Sequence, residues 1–432
     1  MTLERSLSLW EVTLMGIGVI LGAGIYVIIG EAAGLSGNAI WLSFLIGSIV
    51  AIFSGLSYAE LSSRFPHAGA EYSYVRKAFG NRIGWIAGWL IISCNIIAGS
   101  TVALGFSNYF HALFGTPIIP VAIILLIICC VILYAGVKET ASVTILFMII
   151  ESIGLFIIIV IGINYIGSVN YLEMANGIKG VIEGGVLIFF SYLGFQGITT
   201  LAEETKNPKK TIPKAILLAI TITTIIYILV GLTAVSIIPW QELASSKAPL
   251  ADIASSVFGE KSFIILSCIA LFSTFNTVLM SLLAGSRLVY GMAKGRGFPK
   301  IFTKTSKKLL SPYFSILAVM ICSILILFLG DLKSIANLTN FTVFTVFIMV
   351  NATLIFFRIK DPNKDKEAFR VPGSIKGVPI FPVLGIITSF AMLIHVSTEI
   401  IIIGIILIIV GVIFSITIDK ISEYVCLDEE NI

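Results

Sequence analysis

The sequence predicts an all-α integral membrane protein of twelve transmembrane helices, the first ten forming two inverted five-helix repeats. Three observations carry this reading: an apolar composition, twelve hydrophobic runs, and two of those runs broken by glycine five spans apart. Of 432 residues, 57% are hydrophobic and 12% charged, with a mean hydropathy of +1.04. Soluble domains carry about 25% charged residues, so a chain this apolar has too little polar surface for water. A bilayer core of about 30 Å is crossed by roughly 20 apolar residues in a helix.

The runs lie near 10–32, 39–60, 83–110, 118–135, 141–165, 181–202, 213–238, 262–292, 313–330, 335–357, 379–396 and 399–418. They form one transmembrane domain over residues 1–432, with repeats 10–165 and 181–357 followed by helices 11 and 12 in 379–418. The first run is too long for a signal peptide and lacks a small-residue cleavage site. With the N terminus inside, 24 of the 28 Lys and Arg residues fall on the N-terminal side of the membrane. The other four are Lys179, Lys247, Lys261 and Lys333. This positive-inside bias predicts a multi-pass protein of the cell membrane with both termini cytoplasmic. The net charge of +4 therefore reports topology rather than a nucleic-acid footprint.

Between spans, the polar segment 239–261 reads as short surface helices covering the entrance on the outer side. Segment 359–378, with Pro362, Pro372 and Gly373, reads as a cytoplasmic linker. The basic loop 294–308 anchors topology and lies where membrane lipid headgroups can meet it.

The broken spans are the first, at Gly22-Ala23-Gly24-Ile25-Tyr26, and the sixth, at Phe190-Ser191-Tyr192-Leu193-Gly194-Phe195. Backbone that leaves the helix in lipid survives only inside protein or beside a watery cavity. A matched pair of broken helices in the two halves of a chain points to a transporter's binding site. In span 1 the outer half presents unpaired N–H groups near Gly24, Ile25 and Tyr26, which favour an anion. The inner half presents carbonyls near Gly18 to Leu21, and span 6 adds carbonyls near Phe189 to Ser191. Such a site suits the carboxylate and ammonium of an amino acid without any charged side chain. The same glycines also fit simple close packing of helices.

Glu151 is the only ionisable residue near the middle of a span. A charged group there costs about 2.5–3.5 kcal/mol on insertion scales, whereas a protonated carboxyl is tolerated. Glu151 is therefore expected to carry a coupling proton or to ligate a cation. The alternative is a structural carboxyl bonded to Ser273, Thr274, Asn276 or Thr277 of span 8. A sodium site built from those hydroxyls and span 1 carbonyls is the competing mechanism.

The chain resembles the amino acid-polyamine-organocation (APC) permease family over nearly its full length. The resemblance rests on Ser8-Leu9-Trp10, Gly22 to Tyr26, Tyr58-Ala59-Glu60-Leu61-Ser62-Ser63-Arg64-Phe65-Pro66 and Gly69 to Arg76. It continues through Tyr192 to Phe195, Glu203-Glu204-Thr205-Lys206-Asn207-Pro208, Ser286 to Ala293, Pro299 and Phe369-Arg370-Val371-Pro372. It implies a LeuT-type fold and alternating access. It also implies that the substrate carboxylate rests on the amides of Gly22, Ala23 and Gly24. The ammonium would then rest on carbonyls near Ile20, Phe190 and Leu193, under the Phe190 ring. In some proton-coupled relatives a Lys stands where Glu151 appears. Cys94 stands where the cationic-amino-acid branch carries an acid, and the span 6 residues Phe189, Phe190, Tyr192 and Leu193 suit a neutral side chain.

The expected function is secondary active symport of a neutral amino acid with a proton. An exchanger, a sodium-coupled symporter and a non-transporting amino acid sensor are the alternatives. No nucleotide-binding loop, paired catalytic groups or metal-ligand spacing is present in the sequence, so an enzyme or a bound metal or cofactor is not expected. The coupling ion is expected to be H+, with Na+ as the alternative, and the oligomeric state stays open.

Overall fold

A computed structural model describes residues 7–65, 70–135, 140–295, 297–306, 311–360, 368–375 and 377–429. Pro66, His67, Gly69, Arg5, Lys138, Arg296, Lys307, Lys308 and Pro362 lie outside the described residues.

The chain is all-α. Its helices are α1 (Leu9–Ile20), α2 (Ala23–Ser36), α3 (Ile40–Arg64), α4 (Ala70–Phe79), α5 (Asn81–Phe114), α6 (Ile118–Ala135), α7 (Thr140–Gly162) and α8 (Gly177–Ile188). They continue with α9 (Pro208–Ile237), α10 (Trp240–Ser245), α11 (Pro249–Phe258), α12 (Glu260–Lys294), α13 (Tyr313–Ile326), α14 (Leu332–Lys360), α15 (Ile380–Ile394) and α16 (Thr398–Glu429). Among the described residues, nine helical stretches are long and apolar enough to cross a membrane. Three shorter apolar helices, α1, α13 and α15, supply the rest of the spans. Each of the twelve predicted runs falls on one of these stretches.

Three boundaries differ most from expectation, and one of them is the end of α16, which runs on to Glu429 past the expected 418. The sixth run is α-helical only to Ile188 and continues as 3-10 turns over Phe189–Tyr192 and Phe195–Glu203. The ninth ends at Ile326 rather than near 330. The segment 239–261 does form short helices, α10 and α11, and α10 lies on α2. The linker contains a two-stranded hairpin, β1 (Ser374–Ile375) with β2 (Val378–Pro379).

The packing is pairwise between the halves. Helix α3 lies on α9, α5 on α12 and α1 on the 3-10 turns after α8, so each pairs with the element five spans later. Helix α7 packs on α12 as α14 packs on α5. Two blocks exchanged by a two-fold axis in the membrane plane would give this arrangement.

Polar clusters hold the N-terminal side together. The backbone of Leu7 bonds Thr205's neighbours: its N–H donates to Glu204 O at 3.0 Å and its carbonyl accepts from Lys206 N–H at 2.9 Å. This ties the start of α1 to the end of the broken sixth span. Ser8 and Glu11 close a capping box on α1. On α3, the wholly buried Glu60 receives Arg358 Nε at 2.7 Å and Nη2 at 2.5 Å on its two oxygens. Arg64 Nη2 lies 2.6 Å from Glu60, and Val371 N–H donates to it at 2.8 Å. One turn away, Ser57 donates to Asn351 Oδ1 and Asn351 Nδ2 donates to Ser54. The linker motif Phe369 to Pro372 is thus pinned to α3 and α14.

Removing one partner from a buried ion pair leaves the other charge uncompensated, at about 3–5 kcal/mol. Glu60→Ala is expected to lower the thermal midpoint of the purified protein sharply, and Glu60→Gln less. A melt in detergent by intrinsic fluorescence measures this.

Candidate functional site

The break in the first span is two residues long, Leu21 and Gly22, and α2 begins at Ala23. Gly24 and Tyr26 are therefore in the opening turn of a regular helix rather than in unwound chain. The two breaks meet at Gly24, where a Cβ would stand 2.6 Å from Ser191 Cα. At Gly194 the φ of 117° suits glycine, and a Cβ there would also strike Val19.

The freed backbone groups have partners from other helices. The Tyr227 hydroxyl of α9 lies 2.6 Å from Ile20 O and 2.9 Å from Ser191 O, so one O–H bridges both breaks. The Thr277 hydroxyl of α12 accepts from Ala23 N–H at 3.1 Å. Asn340 of α14 donates through Nδ2 to Val186 O at 2.6 Å and Leu187 O at 3.4 Å, at the end of α8. Phe190 O accepts from Leu193 N–H at 3.3 Å. An unpaired buried amide or carbonyl costs about 1–3 kcal/mol, which explains why polar side chains occupy these apolar helices. A carbonyl with one such partner keeps a second lone pair.

Ile20, Ala23, Gly24, Phe190 and Ser191 are buried together here, and Gly22 and Leu193 are partly exposed. The Ser191 hydroxyl is buried with no partner among the described residues. Exposure is one-sided: Val19 is 48% exposed, whereas Ile25, Tyr26 and Phe189 are wholly buried. On the α2 side a polar cavity of about 40 Å³ lies between Tyr26, Glu31, Tyr109 and Lys247. That is room for about one water.

The carboxyl of Glu151 on α7 is buried, and Oε2 accepts from the Ser273 hydroxyl at 2.7 Å. Its Oε1 has no hydrogen-bond partner among the described residues. The Tyr26 hydroxyl donates to the Glu151 backbone carbonyl at 2.5 Å, and Tyr109 donates to Tyr26 O at 3.1 Å. Thr274, expected beside Glu151, instead donates to Ala270 O on its own helix at 2.6 Å. Thr277, expected as another partner of Glu151, is bonded to the break.

The aromatic pocket also differs from expectation. Phe189 packs on Phe344 and Phe347, and Tyr192 donates to Phe44 O and packs on Tyr227. Both are core residues. Cys94 is buried in α5, where its thiol meets Thr342 of α14. Tyr227 and Asn340 went unnoticed in the sequence. Their one signal is a polar group in the middle of an apolar run, which places no partner.

A multi-pass membrane bundle with two facing helix breaks is the frame of a transport protein. The chain matches the amino acid permease family model over residues 7–418, and it belongs to that family. It is 27% identical over 416 residues to the branched-chain amino acid permease BcaP of Bacillus subtilis (strain 168), covering 91% of this chain and 88% of that one. It is 30% identical to the methylthioribose transporter of the same organism, over 89% and 86% of the two chains. Against the vacuolar cationic amino acid transporter 4 of Arabidopsis thaliana it is 30% identical over 78% of this chain and 60% of that protein. It is a transport protein and not an enzyme.

Tyr227→Phe leaves two buried carbonyls without their bridge. Faster amide hydrogen exchange is expected in 18–25 and 188–195 together, with a lower thermal midpoint. Gly24→Ala, which drives a Cβ into the Ser191 backbone, is expected to abolish ligand binding. Gly22→Ala meets the Thr277 hydroxyl at 3.1 Å and Val19 O at 3.5 Å, looser contacts than at Gly24, and is expected to be milder in the same equilibrium binding assay.

Proposed function

We propose that the protein moves a neutral amino acid together with a proton across the cell membrane by alternating access, with both termini in the cytoplasm. The observation that carries this reading is the meeting of the two breaks at Gly24 and Ser191, with backbone donors from α2 and backbone acceptors from α1 and the sixth span around one point. The substrate carboxylate takes the amides of Gly22, Ala23 and Gly24. Its ammonium takes carbonyls of Ile20, Phe190 and Leu193, and the unpartnered Ser191 hydroxyl adds a polar contact. Repeats 10–165 and 181–357 move relative to each other around this point.

Glu151 carries the coupling proton. Its carboxyl meets α12 directly through the Ser273 hydroxyl, while its backbone carbonyl takes the Tyr26 hydroxyl of α2. An ionised carboxylate with an unpaired oxygen in this apolar setting is costly, so the proton is held while water is excluded. The name of the BcaP relative and the absence of an acid at Cys94 support a neutral side chain over a cationic one. The methylthioribose relative makes a non-amino-acid substrate the outcome to test against.

The test is uptake into proteoliposomes under an imposed pH gradient, acid outside, with labelled L-leucine, L-arginine and methylthioribose. Gradient-driven accumulation of leucine is expected. Glu151→Gln is expected to remove the dependence on the gradient by tenfold or more while equal-sided leucine exchange persists. Arginine accumulation, or leucine uptake in Glu151→Gln still driven by the gradient, overturns the substrate or the proton assignment respectively.

A further inference from the structure

We propose that Thr277 is a built-in stand-in for the substrate carboxylate, holding the Ala23 amide in the empty carrier and leaving it when ligand binds. The inference rests on the reading of the break as an amino acid site. Ala23 N–H is one of the amides proposed to hold a carboxylate, and in the structure the Thr277 hydroxyl already occupies it at 3.1 Å. That hydroxyl also abuts Gly22, whose Cβ would come within 3.1 Å of it. It therefore sits where a carboxylate oxygen would approach the start of α2.

The contact is made to be exchanged. Thr277 is only half-buried, and its own proton goes to Ser273 O one turn back at 3.0 Å. A helical threonine has two favoured χ1 wells, each able to bond a carbonyl of the preceding turn. Its hydroxyl can thus turn from the break without losing its own acceptor. A carboxylate is the stronger partner for an amide, because a charge-assisted hydrogen bond is about twice as strong as a neutral one. Without Thr277 the empty carrier would hold an unpaired amide, and the bound carrier would not.

The position also links the two ends of the site. Ser273, whose carbonyl takes the Thr277 proton, donates its hydroxyl to Glu151 Oε2. Thr277 thus stands one hydrogen-bonded residue from the proposed proton carrier, and it keeps that bond when it leaves the break. No neighbouring charge is needed for this exchange.

Equilibrium binding to the purified full-length protein tests it. The probe is whichever of L-leucine, L-alanine and L-arginine the wild type binds most tightly, with the amino alcohol of the same side chain as control. Thr277→Val is expected to bind the amino acid about tenfold more tightly and to leave the alcohol unchanged. It should also lower net uptake relative to exchange in proteoliposomes, because the empty form is disfavoured. Thr277→Ser should keep wild-type values, and Thr277→Ala repeats the test if the valine variant does not fold. Valine and alanine variants with wild-type or weaker amino acid affinity overturn the role of Thr277 alone. A wild type that binds none of the three probes overturns the reading of the site and this inference with it.

Discussion

Peptide groups cannot be left bare inside a bilayer, and this constraint organises the structure around its two helix breaks. Interrupting a span frees amides at one end and carbonyls at the other, and hydrocarbon offers them nothing. The protein answers with three side chains from three other helices: Tyr227 of α9, Thr277 of α12 and Asn340 of α14. Each must be near its break, so α9, α12 and α14 are held against the broken spans. The packing of the bundle and the chemistry of its centre are therefore one problem. Tyr227 is the clearest case, since a single hydroxyl spans acceptors from both halves of the chain.

These bonds contrast with those on the N-terminal side. Glu60 collects two guanidinium groups and a backbone amide in a wholly buried cluster. Charged partners in such surroundings separate only at high cost, so α3, α14 and the linker motif behave as one joint. The centre is held by neutral hydroxyls and an amide, with net worths of about 0.5–1.5 kcal/mol each. Bonds of that size can be exchanged for those of a ligand. A firm joint at one end and replaceable contacts in the middle is the division that a carrier requires.

The relatives carry names for branched-chain amino acids, cationic amino acids and methylthioribose at 27–30% identity. The recognition by backbone groups proposed above would reconcile that spread with one fold. Main-chain donors and acceptors persist when side chains change, whereas selectivity for the rest of a substrate falls to residues around the breaks. Here those surroundings include Phe190, which is buried and uncharged.

The sequence alone determined the membrane class, the number and order of spans, the two breaks and the isolated Glu151. These follow from composition and from glycine placement, which act locally and leave a mark in every short window. It did not reveal that Phe189 and Tyr192 are core rather than pocket, that Thr274 bonds its own helix, or that Thr277 serves the break instead of Glu151. It gave Tyr227 and Asn340 no role. Those facts depend on which face of one helix meets which turn of another, across separations such as the 207 residues between Ile20 and Tyr227. A hydroxyl in an apolar run announces that a partner exists, but only the folded bundle supplies the distance that chooses it.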